Sequence, residues 1–337
     1  MRKTFRVITI VVAAAGVLGA GTWTAPRTPW GDPDLQGIWD GRSMTPLQRP
    51  EKFRDREYLT EEEAAAMEKE AAAAPGRNAR GKSGTVEDLE GAYNEIFNSR
   101  VTNLVRTRRT SLIVDPPDGK LPALTAEGQL SKAAFERTFE GQQRTTLRGQ
   151  YVVELNRDRA DNPEDLRTLE RCFGVMLPET GPLVRIVQSP GLVAMYYERG
   201  NAGGAYRMIH VDGRPHLSLR SRQWFGDSVG RWEGDTLVVD TINFTDKVYF
   251  QGSRENLHLI ERFTRTTRDM ILYRATIEDS TTFTRPWTIE VPLIERDNKA
   301  NQIFETACHE GNYSMPSILA GARALEKEHA AGRVRHK

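Results

Sequence analysis

The sequence lacks an excess of charge of either sign. Its 47 lysines and arginines nearly balance 46 aspartates and glutamates, which gives a formal net charge of +1 at pH 7. A chain so close to neutrality offers no electrostatic case for binding nucleic acid. The densest basic stretch, Arg106-Thr107-Arg108-Arg109, fits a solvated turn or a set of ion-pair partners better than a phosphate-binding track.

A hydrophobic run long enough to span a membrane is also missing. The apolar segment from Val7 to Gly21 has about fifteen residues, whereas a spanning helix needs about 20. Arg2, Lys3 and Arg6 precede this segment and small residues close it, which is the pattern of a signal peptide. We therefore expect a periplasmic or secreted protein with no stable membrane span after cleavage; an uncleaved anchor is the weaker alternative.

Cysteine is scarce. Only Cys172 and Cys308 are present, and neither lies near the expected cleavage region, which excludes a lipid on a mature N-terminal cysteine. In an oxidising compartment we expect the two to form one disulfide. Such a bridge would stabilise the fold by up to ~5 kcal/mol. A catalytic thiol is the alternative.

Internal repeats and a clean interdomain linker are absent as well. We expect a signal peptide over residues 1–21 and an extended arm plus helices packed on the core over residues 22–148. An antiparallel β domain should follow over residues 149–313, and a C-terminal helix and tail over residues 314–337.

Short runs of β-branched and aromatic residues fill the second half of the chain. The runs are Tyr151–Leu155, Leu183–Val187, Leu192–Tyr197, Tyr206–Val211, Thr236–Ile242, Leu257–Thr264, Met270–Ile277 and Trp287–Ile294. Their length and the turn residues between them, including a hairpin-type turn at Glu233-Gly234-Asp235, are typical of an antiparallel β-barrel or sandwich. From the number of strands we expect a lipocalin-like barrel in a mainly β fold with flanking helices (α+β).

Helical patterns and one irregular segment flank these strands. Thr60 to Ala74 begins with a Thr cap and three acids, and Thr125 to Phe139 begins with another Thr cap. A short helical pattern runs from Thr85 to about Phe97, and a capped amphipathic pattern predicts a last helix from Ser314 or Ser317 to about Ala331. The segment from Pro26 to Pro50 is rich in Pro, Gly and Trp, which favours an extended arm. A short strand before a proline turn is expected near Ser111–Lys120.

One motif suggests a serine nucleophile. Gly226-Asp227-Ser228-Val229-Gly230 matches G-x-S-x-G, whose serine must lie on a turn from a strand into a helix. Here a strand follows instead of a helix, so a loop between strands is the better interpretation.

A second motif places two histidines near an aspartate. On a strand, His210 and Asp212 would project to the same face, and with His216 nearby they could bind a metal or act as a base with its orienting partner. Asp212-Gly213-Arg214-Pro215 is also an ordinary turn sequence, and we favour the turn.

The run His258-Leu259-Ile260-Glu261-Arg262 has H-x-x-E spacing. In a strand, His258 and Glu261 point to opposite faces, which argues against a zinc site of the H-E-x-x-H type. His258 and Arg262 would share a face. Farther on, Cys308-His309-Glu310-Gly311-Asn312-Tyr313 is the densest group of reactive side chains, and a disulfide there would either preorganise a site or hold the tail in place.

Three segments together resemble an uncharacterised family of exported, β-rich bacterial proteins. They are Arg222–Thr241, which contains GDSVGRWEGDTLVVDT, Glu255–Phe263, which contains the HxxERF pattern, and Cys308–Tyr313 (CHEGNY). The segment Thr110–Lys120 shares in the resemblance. The resemblance covers most of the mature chain and implies export and a β-rich fold. It implies no activity, cofactor or catalytic residue.

Two hypotheses about function follow from these residues. The first is an enzyme that acts on a small organic molecule by hydrolysis, elimination or isomerisation in a barrel cavity. Its acid and base would come from His258, Glu261, His309, Glu310 and Asp240, and its ligand contacts from Arg231, Trp232, Arg262, Trp287 and His210. We assign no metal and expect no cofactor. The alternative is a non-catalytic ligand-binding or envelope protein that uses the same cavity.

Overall fold

A computed structural model describes residues 23–73, 101–136, 162–163, 171–172, 176–198, 204–299 and 314–332. Ten strands lie in these ranges: β1 (Gly37–Asp40), β2 (Ile113–Asp115), β3 (Leu183–Ser189), β4 (Leu192–Glu198), β5 (Ala205–His210), β6 (Asp227–Glu233), β7 (Thr236–Ile242), β8 (His258–Thr267), β9 (Met270–Glu278) and β10 (Trp287–Arg296). Three α-helices accompany them: α1 (Glu61–Ala73), α2 (Ala126–Glu136) and α3 (Ser314–Ala330). No helix within the described residues is both long and apolar enough to cross a membrane.

Nine of the strands close into a barrel. They follow the order β1, β3, β4, β5, β6, β7, β8, β9 and β10, and β1 also pairs with β10, which completes the ring. Strand β2 pairs with β10 outside this ring. Neighbouring strands are antiparallel except β5 and β6, which are parallel and share the single pair His210 and Val229. The predicted barrel, rather than the sandwich, is confirmed.

The interior of the barrel is filled by alternate side chains of its strands. Because successive residues of a strand point to opposite faces, one set from each strand enters the core and the other faces outward. The inward set is mostly apolar and fully buried; it includes Trp39, Ile186, Met195, Ile209, Leu237, Val239, Leu259, Phe263, Ile271, Ala275, Ile289 and Val291. Dispersion and the hydrophobic effect at these positions hold the barrel together.

A charged pair lies among these apolar residues. The Arg207 guanidinium contacts both carboxylate oxygens of Glu261, and both side chains are almost completely buried. Ser228 Oγ and Thr241 Oγ1 accept further N–H groups of Arg207 at 3.0 and 2.8 Å, and the Tyr273 hydroxyl donates to Glu261 at 2.9 Å. Every charge is therefore hydrogen-bonded, as burial requires.

Burial also changes the acidity of the tyrosines beside this pair. Desolvation raises the pKa of Tyr197 to about 12. Desolvation and the neighbouring Glu261 carboxylate raise the pKa of Tyr273 well above its ordinary value. Both phenols therefore stay neutral at any physiological pH and act as hydrogen-bonding groups of the core.

Two expectations about local structure were wrong. The arm predicted between Pro26 and Pro50 contains strand β1, which closes the barrel, so the barrel does not begin at residue 149. Its Trp39 is fully buried and donates its indole N–H to the Leu35 carbonyl at 2.8 Å. This packing fixes β1 in the barrel, although its four residues are too few to show the alternation of a strand. The G-x-S-x-G motif forms the start of β6 rather than a loop, because Ser228 pairs with Thr241 and its hydroxyl is bonded inside the barrel.

The predicted helix starts agree with the structure. In α1, Glu63 N donates to Thr60 Oγ1 at 3.1 Å and Thr60 N donates to the Glu63 carboxylate at 2.9 Å, which is a capping box. In α2, Gly128 N donates to Thr125 Oγ1 at 3.0 Å. The turn at Gly234 and Asp235 also joins its two strands as expected.

Several expectations fall outside the described residues. They concern the signal peptide, the helix from Thr85 to Phe97 and the strand from Tyr151 to Leu155. Cys172 is buried, but Cys308 lies outside the described residues, and the disulfide therefore remains a prediction.

Removing one charge of the buried pair should destabilise the barrel strongly. Glu261→Gln leaves the Arg207 guanidinium without its counter-charge in the core, and we expect a loss of about 3–5 kcal/mol in the free energy of unfolding. Replacing both residues, as in Arg207→Met with Glu261→Leu, should cost less than Glu261→Gln alone. Urea denaturation followed by tryptophan fluorescence measures both changes.

An exposed ion pair of the same barrel serves as the control. Arg231 donates to Glu233 at 2.6 Å, but both side chains are open to solvent. Glu233→Gln should change the free energy of unfolding far less than Glu261→Gln does, because water screens an exposed pair. Equal effects of Glu233→Gln and Glu261→Gln would contradict the interpretation.

Candidate active site

A histidine held between two carboxylates stands at one end of the barrel. His258 begins β8, and its outward imidazole contacts Asp240 Oδ1 of β7 through Nε2 at 3.2 Å and Glu278 Oε2 of β9 through Nδ1 at 3.0 Å. The register of the sheet causes this meeting, because His258, the first residue of β8, pairs with Glu278, the last residue of the antiparallel strand β9. The three side chains are about one third exposed, so solutes can reach them.

A second histidine reaches the same aspartate from the other side. His216, in the segment between β5 and β6, contacts Asp240 Oδ1 through Nε2 at 3.2 Å and Asp227 Oδ2 through Nδ1 at 3.0 Å. Asp227 is only 3% exposed and also contacts the Arg214 guanidinium. The result is a continuous row in which basic and acidic side chains alternate from Arg214 to Glu278.

The row shifts the pKa values of its members. The Asp240 hydrogen bond is the largest influence on His258 and, with the charges of Asp240 and Glu278, raises its pKa above the ordinary 6.5 against the effect of burial. The same bond lowers the pKa of Asp240. Burial opposes ionisation of Asp227, but hydrogen bonds from Arg214, the Leu217 N–H and His216 outweigh it and bring its pKa to about 2.

A cavity opens beside this row. It has a volume of about 600 Å³ and is lined by His258 and Glu278 together with Asn256, Asp279, Ser280, Thr281, Phe283, Thr284, Arg285 and Pro286. Most of these residues carry hydroxyl, amide or charged groups, and Phe283 and Pro286 add apolar surface. Such a surface suits a small polar molecule that also has an apolar part.

The part of the cavity wall that follows Glu278 is a tightly hydrogen-bonded turn. The buried Asp279 carboxylate accepts the N–H groups of Thr281 and Thr282 at 3.0 and 3.2 Å and both of their hydroxyls at 2.6 and 2.8 Å. The start of α2 packs on this turn, where Thr125 N donates to the Thr282 carbonyl at 3.0 Å. A Cβ at Gly128 would lie 2.3 Å from that carbonyl oxygen, so only glycine permits this approach.

The structure brings together only part of the residues that the sequence singled out. His258 and Asp240 meet, whereas Glu261 points into the barrel, away from His258 as the strand pattern predicted. His309 and Glu310 lie outside the described residues.

The predicted ligand-binding residues do not share one surface. Arg231 and Arg262 both bind Glu233 on the exposed outer face, and Trp232 packs partly buried against the core. Trp287 is fully buried and packs edge to face on Phe283 with ring centroids 5.6 Å apart, so it contacts a residue of the cavity lining without lining the cavity itself.

His210 stays apart from the cluster. Its Nδ1 lies 3.8 Å from Asp212, at the limit of an ion pair, and it makes no contact with the cavity lining. Arg214 N donates to Asp212 Oδ1 at 3.1 Å, and Gly213 has a φ of 79°, so the predicted turn is confirmed.

Sequence reasoning missed Glu278 and Asp227 and gave His216 no role of its own. The alternation along β9 shows that Glu278 faces outward, so the sequence could have predicted its exposure. The sequence could not predict which residues each of the three contacts, because that depends on the register between strands. Within the described part of the chain, no group of three or more His, Cys, Asp or Glu side chains is arranged to hold a metal ion.

Comparisons with known proteins gave no match to a family model, to a curated protein or to a solved structure.

The cluster should make folding stability depend on pH in two directions. His258 has a raised pKa, so its contribution is complete below the ordinary value of 6.5 and is lost as pH rises through the higher value of the folded state. Asp240 and Asp227 have lowered pKa values, so their contribution is complete above the ordinary 3.8 and is lost as pH falls. The stabilisation is therefore greatest between about pH 4 and 6.5.

Urea denaturation at successive pH values measures this dependence. His258→Gln should flatten the loss of stability above pH 6.5 and leave the acid side of the curve, which depends on Asp227, largely in place. The matched control His210→Gln should reproduce the wild-type slope. A wild-type slope in His258→Gln would show that the imidazole is not coupled to folding.

Proposed function

We propose that the protein is an enzyme that acts on a small polar organic molecule by general acid–base chemistry in the cavity beside His258. The observation that supports this proposal is the array of Asp240, His258 and Glu278: His258 and Glu278 line the cavity, and the His258 imidazole lies 3.2 Å from Asp240 Oδ1 and 3.0 Å from Glu278 Oε2. An oriented imidazole next to a carboxylate is the arrangement that proton transfer requires.

Each member of the array has a distinct role in this proposal. Glu278 is the most exposed of the three and faces the cavity, so it serves as the general base that accepts a proton from the substrate or from water. His258 has a raised pKa, which favours its protonated form, so it serves as the general acid. The proton that it gives to a leaving group or a developing oxyanion is the one on Nδ1, which faces Glu278 at the cavity. Asp240 orients the ring and stabilises its positive charge, as the aspartate of a catalytic triad does.

Arg285 is the residue that supports a choice of substrate. Its guanidinium lines the cavity and is held by an ion pair of 2.6 Å to Asp115, in which both side chains are half exposed. An exposed pair of this kind contributes little to stability, so a ligand anion can replace Asp115 at low cost. Hydrolysis, elimination or isomerisation of a molecule with a carboxylate or another anionic group fits these positions.

We also propose that the mature protein acts outside the cytoplasm. This proposal rests on the basic residues and the apolar run at the N-terminus. N-terminal sequencing of the protein recovered from the periplasm or the medium of a bacterial host tests it. A start near residue 22 supports export, and intact protein confined to the cytoplasm contradicts it.

Substitution of the array should abolish turnover without unfolding the protein. Glu278→Gln and His258→Gln should each lower kcat at least 100-fold, because general acid–base catalysis contributes that much or more. The assay uses p-nitrophenyl acetate, mono-p-nitrophenyl succinate and a small lactone as probes, with the melting temperature as a check on folding. His210→Gln is the matched control and should keep wild-type activity; folded Glu278→Gln and His258→Gln variants that also keep it would contradict the proposal.

A second function is favoured by one feature of the same site. Both ring nitrogens of His258 are already bonded to carboxylates, which suits a fixed binding surface as well as an acid. A ligand-binding protein would be stabilised by about 2.7 kcal/mol at a ligand concentration of 100 Kd, without forming product. Saturable thermal stabilisation by succinate or a dicarboxylic half-ester, with no turnover of any probe, would support binding over catalysis; catalysed turnover would contradict it.

A further inference from the structure

We infer that His216 is a positioning residue of the site, which acts on His258 through the oxygen atom of Asp240 that they share. The inference rests on the proposed function in that His258 is taken as the acid of the reaction. It goes beyond that proposal because His216 does not line the cavity. His216 contacts Asp240, and Asp240 in turn contacts His258 on the cavity wall.

The shared atom is the first observation. Asp240 Oδ1 lies 3.2 Å from Nε2 of His216 and 3.2 Å from Nε2 of His258. A carboxylate oxygen has two lone pairs, so it can accept one N–H group from each ring. The orientation of the carboxylate toward His258 is therefore set by both imidazoles together.

The second observation is a count of protons and charges. Each ring faces a carboxylate with both nitrogens: His216 faces Asp227 and Asp240, and His258 faces Asp240 and Glu278. A neutral imidazole would turn one lone pair toward a carboxylate, whereas an imidazolium donates at both nitrogens. Two imidazolium rings together with Arg214 also balance the three carboxylates. The geometry thus fits two rings that each carry a proton on both nitrogens.

The third observation is that hydrogen bonds to the barrel hold His216 in place, so its ring does not move with the Asp240 carboxylate. Asp227 accepts the Leu217 N–H at 2.8 Å as well as His216 Nδ1, and Asn243 Nδ2 donates to the Leu217 carbonyl at 3.0 Å. Because Asp227 is buried at the start of β6, these bonds fix His216 to the barrel. His216 therefore fixes the position of the Asp240 carboxylate, and Asp240 in turn fixes the orientation of the His258 ring.

Removal of the His216 charge should change the titration of His258. The charged groups that face His258 are Asp240 on β7 and Glu278 on β9, with Arg285 and Asp279 farther along the cavity wall. His216 adds a positive charge behind Asp240, which opposes protonation of His258. In His216→Gln the amide can still donate to Asp240 but carries no charge, so the pKa of His258 should rise.

The test follows the imidazole resonances by NMR as a function of pH, with no substrate present. Wild type, His216→Gln and His210→Gln are titrated from pH 4 to 9. His216→Gln should move the His258 curve to higher pH, and His210→Gln, which removes an imidazole outside the row, should leave it unchanged. A folded His216→Gln variant whose His258 curve superposes on that of wild type would overturn the inference.

A measurement on the unaltered protein covers the case in which His216→Gln does not fold. Nitrogen-15 chemical shifts at pH 6 distinguish a protonated ring nitrogen from one with a lone pair. Both nitrogens of His216 and both of His258 should be protonated. A lone pair at Nε2 of His216 would overturn the inference, because Asp240 would then accept nothing from that ring.

These outcomes are separate from those of the proposed function. Loss of turnover in Glu278→Gln with an unmoved His258 titration in His216→Gln would leave the enzyme proposal standing and remove the role of His216. A moved titration in a protein without turnover would support the coupling and contradict only the enzyme proposal.

Discussion

The register among β7, β8 and β9 is the constraint on which the site depends. His258 pairs with Glu278, and Asp240 pairs with Ile260, two residues farther along β8. This alignment places the three outward side chains at one end of the barrel. A slip of one residue would turn His258 into the core and Glu261 out of it, so the same pairing that builds the site also keeps the buried carboxylate beside Arg207.

The two charged groups of the barrel follow opposite physical rules. Inside, Glu261 and Arg207 are fully desolvated, and their charges persist because each is paired and hydrogen-bonded by Ser228, Thr241 and Tyr273. Outside, the row through Asp240 remains partly solvated, and its members can exchange protons with water or with a ligand. Their positions on opposite faces of one sheet separate a fixed set of charges from a set that can titrate.

The sequence predicted much of the barrel but only two of the five residues in the row from Asp227 to Glu278. Period-two alternation predicted β3, β4, β5, β7, β8, β9 and β10, because each buries one face against an apolar core. It missed β1, whose four residues are too few to show a period, and β6, whose Ser228 and Gly230 face inward without being large or apolar. His258 and Asp240 were found because each interrupts an apolar strand. Their partners Glu278, His216 and Asp227 were not. Alternation shows that Glu278 faces outward, but the contacts of all three residues depend on long-range pairing.

The junction of β5 with β6 has a consequence for how the ring of strands holds together. Within the described strands, one residue pair joins them, so the ladder of backbone hydrogen bonds is almost interrupted there. Arg207 extends from β5 across this gap to Ser228 of β6, Thr241 of β7 and Glu261 of β8. The side chain of Arg207 thus connects β5 to β6, β7 and β8 at the point where few backbone hydrogen bonds do. The buried polar cluster around Arg207 therefore helps to close the barrel.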